Sequence, residues 1–233
     1  MICELFYKSI GLTNPIPLNR SDRVKFNRYV FQNYFIPRME SCKDKNTIIK
    51  LTEKDLCFLK DFSERKVKAK SKEWKGMDDK SRSKREMTGA CIEYGLLKFY
   101  NQESKFDDSI VAESYKRNHP DLLPLGIVCD IKGSSIQNVP LVFKNTRTYT
   151  CNLGSYIGRK YRCSNVIGIT DQKSVWLLGI ASPRVLEEYV DDNLVMIAEN
   201  TSKTGFFGVD QLDDLPLKWS EFKTMCSEKS LIL

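Results

Sequence analysis

Residues 86–102, EMTGACIEYGLLKFYNQ, are apolar on nearly every side of a helical wheel. A helix of that kind has no face to give to water, so other elements must surround it. From residue 121 onward the chain has the texture of strands. Asp121 to Leu123, a Pro124-Leu125-Gly126 turn and Ile127 to Lys132 read as a hairpin. Further strands are expected at 139–144, 147–151, 161–170 and 174–180, the last two joined by a short turn at Asp171-Gln172-Lys173. A buried helix beside a strand-rich core predicts an α+β (mixed α/β) fold.

The flanking segments are helical. Residues 21–40 predict a helix with Ser21 or Asp22 as N-cap and Val24, Tyr29 or Val30, Phe31 and Phe35 as its apolar stripe. Thr52 with Asp55 opens a second helix, in which Leu56 and Leu59 recur at helical spacing. Pro183 starts a short helix over 183–190. A strand at 194–198 and a helix from about 217 to 229 complete the chain. Three regions result: an N-terminal helical region over 1–63, a basic connector over 64–85, and a core over 86–233.

Among 233 residues, twelve Phe and ten Tyr argue against wholesale disorder. No apolar run approaches the length of a membrane span, and no signal peptide is read at the start. A cytoplasmic protein is expected. The eight cysteines are dispersed, with no C-x-x-C pair, and several lie in apolar runs, which predicts buried reduced thiols. A single histidine, His119, argues against a Cys/His zinc site.

The formal net charge is +7, and its placement is informative. Residues 64–86 hold ten Lys/Arg against five Asp/Glu. A basic stripe is the electrostatic footprint of a polyanion, although a solvated linker has the same composition. Its candidate phosphate contacts are Lys68, Lys70, Lys72, Lys75, Arg82, Lys84 and Arg85. A second segment, 147–162, interleaves Arg147, Arg159, Lys160 and Arg162 with Tyr149, Tyr156 and Tyr161. Cations among aromatics suit backbone and base contacts, and equally a strand pair with exposed tyrosines.

Acids interrupt the apolar core sequence at a few places. Glu93 is the single acid between Met87 and Tyr100, with Gly89, Leu96 and Leu97 as helical neighbours. A carboxylate there is paired or functional. On the strand Ile127–Lys132, alternation places Asp130 and Lys132 on one face, about 7 Å apart at the backbone. The hairpin would bring Asp121 beside Asp130. Two close carboxylates repel, and a divalent cation removes that penalty. Lys132 could then orient or deprotonate a water, or steady charge on phosphorus. An ordinary salt bridge on a half-exposed strand is the plain alternative.

Pro120-Asp121 followed by Asp130-Ile131-Lys132, after a buried helix carrying Glu93, resembles the PD-(D/E)XK nuclease superfamily over roughly residues 86–181. The resemblance implies a restriction-endonuclease-like central mixed sheet flanked by helices, with an N-terminal helical extension. It implies a metal-dependent DNA endonuclease in which Asp121 and Asp130 bind Mg²⁺, with Mn²⁺ able to substitute. Lys132 becomes the catalytic lysine, Glu93 an additional metal-shell acid, and the Ile131 carbonyl a further ligand. Double-stranded DNA is the favoured partner, with a homodimer to cut both strands. Abundant Lys and Asn lean toward a bacteriophage or AT-rich bacterial source. The alternatives are a nuclease-fold nucleic-acid-binding regulator that does not cut, and a protein-interaction module docking through its N-terminal helices.

Overall fold

A computed structural model describes residues 8–9, 11, 25, 28–29, 31–69, 78–106, 120–136, 143–145, 150–151, 155–156, 161–182, 204–206, 212–228 and 231–232. The elements expected at 183–190 and 194–198 lie outside these residues. A π-turn, Phe31–Phe35, leads into α1, Ile36–Asp44. Lys25, Arg28 and Tyr29 are helical as well, so every described residue of the expected helix over 21–40 is helical, and the helix runs on to Asp44. Pro37 stands in the first turn of α1, where a missing N–H costs nothing. Strand β1, Ile48–Lys50, comes next.

Helix α2, Glu53–Ala69, starts with a reciprocal cap. The Asp55 N–H donates to the Thr52 hydroxyl at 3.2 Å, and the Thr52 N–H donates to the Asp55 carboxylate at 2.8 Å. Helix α3, Asp79–Phe99, is capped by Asp78, which accepts from the Ser81 N–H at 2.9 Å. Its end is a Schellman motif, with Gln102 N–H on Leu97 O, Asn101 N–H on Lys98 O, and Asn101 at φ 54. The expected connector over 64–85 is therefore helical at both ends. Of its described charges, Glu64, Lys68, Lys80, Lys84 and Arg85 are exposed, whereas Lys66 is buried.

A 3₁₀ turn, Glu103–Lys105, ends the helical half, and a second, Leu123–Leu125 closed by Gly126, falls on the expected Pro124-Leu125-Gly126 turn, whereas Asp121 and Leu122 ahead of it form a turn and no strand. A backbone bond, Leu122 N–H to Cys129 O at 3.0 Å, ties the start of the turn to the next strand. That strand is β2, Cys129–Ser135. Short strands β3 (Phe143–Asn145), β4 (Thr150–Cys151), β5 (Ser155–Tyr156) and β6 (Tyr161–Arg162) precede β7, Ser164–Thr170, and β8, Ser174–Ala181. Strand β9 (Thr204–Phe206), helix α4 (Trp219–Glu228) and strand β10 (Leu231–Ile232) complete the elements.

The central sheet is mixed, in the order β1-β8-β7-β2. β2 runs parallel to β7, and the other pairs are antiparallel. Helices flank this sheet, so the architecture is α+β, as the sequence predicts. A second sheet has the order β5-β4-β3-β9, and β6 pairs with β10.

The apolar part of α3 lies flat on the central sheet. Ile92, fully buried, rests over Gly133 of β2 and Gly168 of β7, which face each other across the parallel pair. A Cβ on either glycine would collide with Ile92, so the absence of side chains is what lets helix and sheet approach. Helix α2 covers α3 through Leu59 and Phe62, and α4 packs Phe222 and Trp219 on Tyr100. Each such buried side chain contributes about 1.5–3 kcal/mol. Cys42, Cys91, Cys129, Cys163 and Cys226 are buried free thiols, and Cys57 is exposed. No helix among the described residues is long and apolar enough to cross a membrane.

Candidate functional site

β2 is the edge strand of the central sheet, so its outer backbone groups need partners from elsewhere. Asp121, at the start of the turn, provides them. Its Oδ2 accepts the Ile131 N–H at 2.8 Å, and its own N–H donates to Asp130 Oδ1 at 3.3 Å. Asp121 and Asp130 therefore do stand together, but through a capping contact at a sheet edge rather than through paired strands.

Lys132 lies between them. Its ammonium donates to the Ile131 carbonyl at 2.8 Å and stands 3.1 Å from Asp130 Oδ2 and 3.6 Å from Asp121 Oδ2. The Lys132 side chain has no exposure and Asp130 has 4%, whereas Asp121 keeps 22%. A half-exposed surface salt bridge is thus excluded, and solvent reaches the cluster at Asp121.

The electrostatics come from burial and proximity. Burial pushes the Asp130 carboxyl far above its ordinary range; the Lys132 ammonium opposes this and the Asp121 charge adds to it. Burial also works against ionised Asp121, but Lys132, its link to Asp130 and the Ile131 N–H outweigh it and hold Asp121 low. Burial would lower Lys132, yet the two carboxylates raise it above its ordinary value. The carboxylates share one ammonium, and Asp121 ionises first.

A second group meets this one from the helical side. Gly133 faces Ile92 of α3, so alternation directs Cys129 and Ile131 toward α3 and Asp130 and Lys132 to the opposite face. Glu93 projects from α3. Burial raises its carboxyl, as do Asp121 and Glu86, while Lys66 and Lys132 oppose the rise. Lys66 of α2 is itself buried, with its ammonium 3.2 Å from Glu86 Oε2. Burial would lower Lys66, but Glu93, Glu86 and Asp121 raise it. Asp121 is the carboxylate common to both groups.

Sequence reasoning missed Lys66 and Glu86. A signal existed, because Asp55, Leu59, Phe62, Ser63 and Lys66 form one buried stripe of α2 at helical spacing. Lys66 was hidden by the basic run around it.

The donor set suits a hard cation in composition. Ile131 O, Asp130 Oδ2 and Asp121 Oδ2 are all oxygens, and they already converge on one positive charge. Counting Glu86 and Glu93 with Lys66, four acids face two lysines, and the raised Asp130 and Glu93 carboxyls reflect that imbalance together with their burial. Among the described residues no three His, Cys, Asp or Glu side chains gather as a ready cage. Glu93 belongs to α3, close enough to Asp121 and Lys132 for their charges to act on its carboxyl.

Of the candidate phosphate contacts, Lys68, Lys84 and Arg85 are exposed, and Arg82 is half-buried. Lys70, Lys72, Lys75, Arg147, Arg159 and Lys160 lie outside the described residues, as does the side chain of Arg162. A cleft of about 730 Å³ runs between α2, α3, the end of β2 and the β7–β8 turn, and neither Asp121, Asp130 nor Lys132 lines it. No protein-family model, curated protein or solved structure matches the chain.

Proposed function

We propose that this protein is a divalent-metal-dependent nuclease acting on DNA. The observation that carries the reading is the convergence of the Asp121 and Asp130 carboxylates and the Ile131 carbonyl on one buried ammonium. The resemblance of this region to PD-(D/E)XK nucleases names the same three oxygens as ligands of Mg²⁺. Asp121, Asp130 and Ile131 O would hold the ion, which when bound supplies an activated water and offsets charge at the scissile phosphate. Mn²⁺ would substitute.

Among these carboxylates Lys132 is held protonated. Charged, it would steady negative charge on the phosphate oxygens; released from the carboxylates, it would orient or deprotonate the water. It would have to leave the three oxygens as the ion arrives. Lys68, Lys84 and Arg85 give α2 and α3 an exposed positive surface for backbone phosphates, and a homodimer would serve double-strand cleavage. The place of action on this reading is the cytosol of a bacterial or phage-infected cell.

One observation favours a second reading, a nuclease-fold protein that binds nucleic acid without cutting. Lys132 already bonds the Ile131 carbonyl, pairs with Asp130 and stands 3.6 Å from Asp121, so the pocket has an internal counter-charge. Incubation of the full chain with supercoiled plasmid and Mg²⁺ separates the two. The nuclease reading expects nicking that falls on the order of 10²-fold or more in Asp130→Asn and Lys132→Ala. Equal nicking by all three proteins, or none by the wild type on any DNA form, would overturn it. DNA retention without nicking would favour the second reading.

A further inference from the structure

Asn165 is fully buried in β7, directly opposite Asp130 in the parallel pairing of β2 and β7. Paired residues of neighbouring strands leave the sheet on the same face, about 4.8 Å apart at the backbone. Asn165 therefore shares the face of Asp130 and Lys132, the face turned away from α3. Its Nδ2 donates to the Cys163 carbonyl at 3.0 Å. That bond fixes the amide, since the opposite orientation would set its oxygen against a carbonyl oxygen. The remaining Oδ1 is buried and has no hydrogen-bond partner.

An unpaired buried amide oxygen is costly, and it calls for a donor or a cation. Among the described residues no third acid gathers with Asp121 and Asp130 as a ready cage. Beyond those two carboxylates and one carbonyl, a hard cation takes further oxygens from water or from neighbouring neutral side chains. We infer that Asn165 supplies, through Oδ1, a neutral oxygen ligand to the divalent cation held by Asp121 and Asp130, so that β7 contributes to the shell. This rests on the reading of that pocket as a cation site.

The test is Mn²⁺ titration of the full chain, following loss of the free-ion electron paramagnetic resonance signal. The wild type is compared with Asn165→Leu, Asn165→Asp and Asp130→Asn. Asn165→Leu keeps the volume and removes the oxygen, and affinity is expected to fall on the order of tenfold to a hundredfold. Asn165→Asp restores an oxygen and adds charge, so its affinity should match or exceed the wild type. A packing role would not move the two variants in opposite directions. If the wild type and Asn165→Leu bind alike while Asp130→Asn does not bind, the Asn165 assignment fails and the cation site stands. If the wild type binds no Mn²⁺, the cation site fails and the assignment goes with it. Should Asn165→Leu not fold, weaker binding by Asn165→Asp than by the wild type overturns the assignment.

Discussion

The backbone N–H of Asp121 donates to the side chain of Asp130, nine residues later in the chain. The Asp121 carboxylate in turn accepts the N–H of Ile131 at 2.8 Å. One residue thus finishes the open edge of β2 and holds half of the acid pair. Asp121→Ala removes the acceptor of a backbone donor as well as a charge, whereas Asp121→Asn keeps an acceptor. The expected order of stability is wild type, then Asp121→Asn, then Asp121→Ala. The last step should cost about 1–3 kcal/mol in urea unfolding. Equal stability of the two variants would show that the edge contact contributes nothing.

Lys132→Met leaves the Asp121–Asp130 pair without its cation. Breaking a buried pair from one side costs about 3–5 kcal/mol. If a divalent ion uses the same oxygens, Mn²⁺ should restore stability to Lys132→Met more than it adds to the wild type. Saturation at roughly 100 times the Kd is worth about 2.7 kcal/mol. Thermal melts with and without Mn²⁺ provide the comparison, and an identical shift in both proteins would separate the lysine from the cation site.

Lys66 and Glu93 should be coupled. Lys66→Met strands buried acids, so it is expected to destabilise strongly, and Glu93→Gln in the same chain should recover part of the loss. A double-mutant cycle measures this, with a coupling of about 0.5–3 kcal/mol expected for neighbours in one network. Simple additivity would place the two residues in separate environments.

The seat of α3 on the sheet can be checked at Gly168. A methyl group there meets Ile92, and Ile92 cannot withdraw toward β2 without meeting Gly133. Gly168→Ala is expected to cost about 1–3 kcal/mol, as overpacking does. Adding Ile92→Ala should make that second methyl group nearly neutral. If Gly168→Ala costs the same in both backgrounds, Ile92 is not what it meets.

Asp55 gives a pH dependence with a definite sign. Burial works against its ionised form, but hydrogen bonds from Lys98, Thr52 and Tyr94 prevail and lower it below its ordinary 3.8. A depressed carboxylate stabilises the fold above its unfolded-state value, and the contribution disappears as pH falls through the folded-state value. The gap in urea midpoint between wild type and Asp55→Asn should therefore be largest near neutral pH. It should narrow steadily below about pH 4. A gap independent of pH would remove Asp55 as the source.

Several features were legible because short-range rules govern them. Thr52 and Asp55 cap α2 with each other, and the all-round apolar stretch from Met87 to Tyr100 is buried as its composition requires. Strands β7 and β8 fall where 161–170 and 174–180 were expected, around the turn at 171–173. The polar first turns of α3 were harder to see, since exposed residues leave no apolar period to trace.

The residue types alone determined that Asp130, Lys132 and Glu93 would need partners, because an isolated charge in an apolar run cannot remain buried. Tertiary structure alone decided which partners they have. The chain ahead of the Pro124 turn formed no paired strand, and Asp121 became an edge cap. The Ile92 contact turned Asp130 and Lys132 to the face of β2 away from α3, Lys66 entered from α2, and the pairing of β2 with β7 placed Asn165 beside Asp130. Local preference acts over a few residues and can be read along the chain. The partner of a buried charge depends on which distant segments pack together, and that is settled by the burial of the whole core.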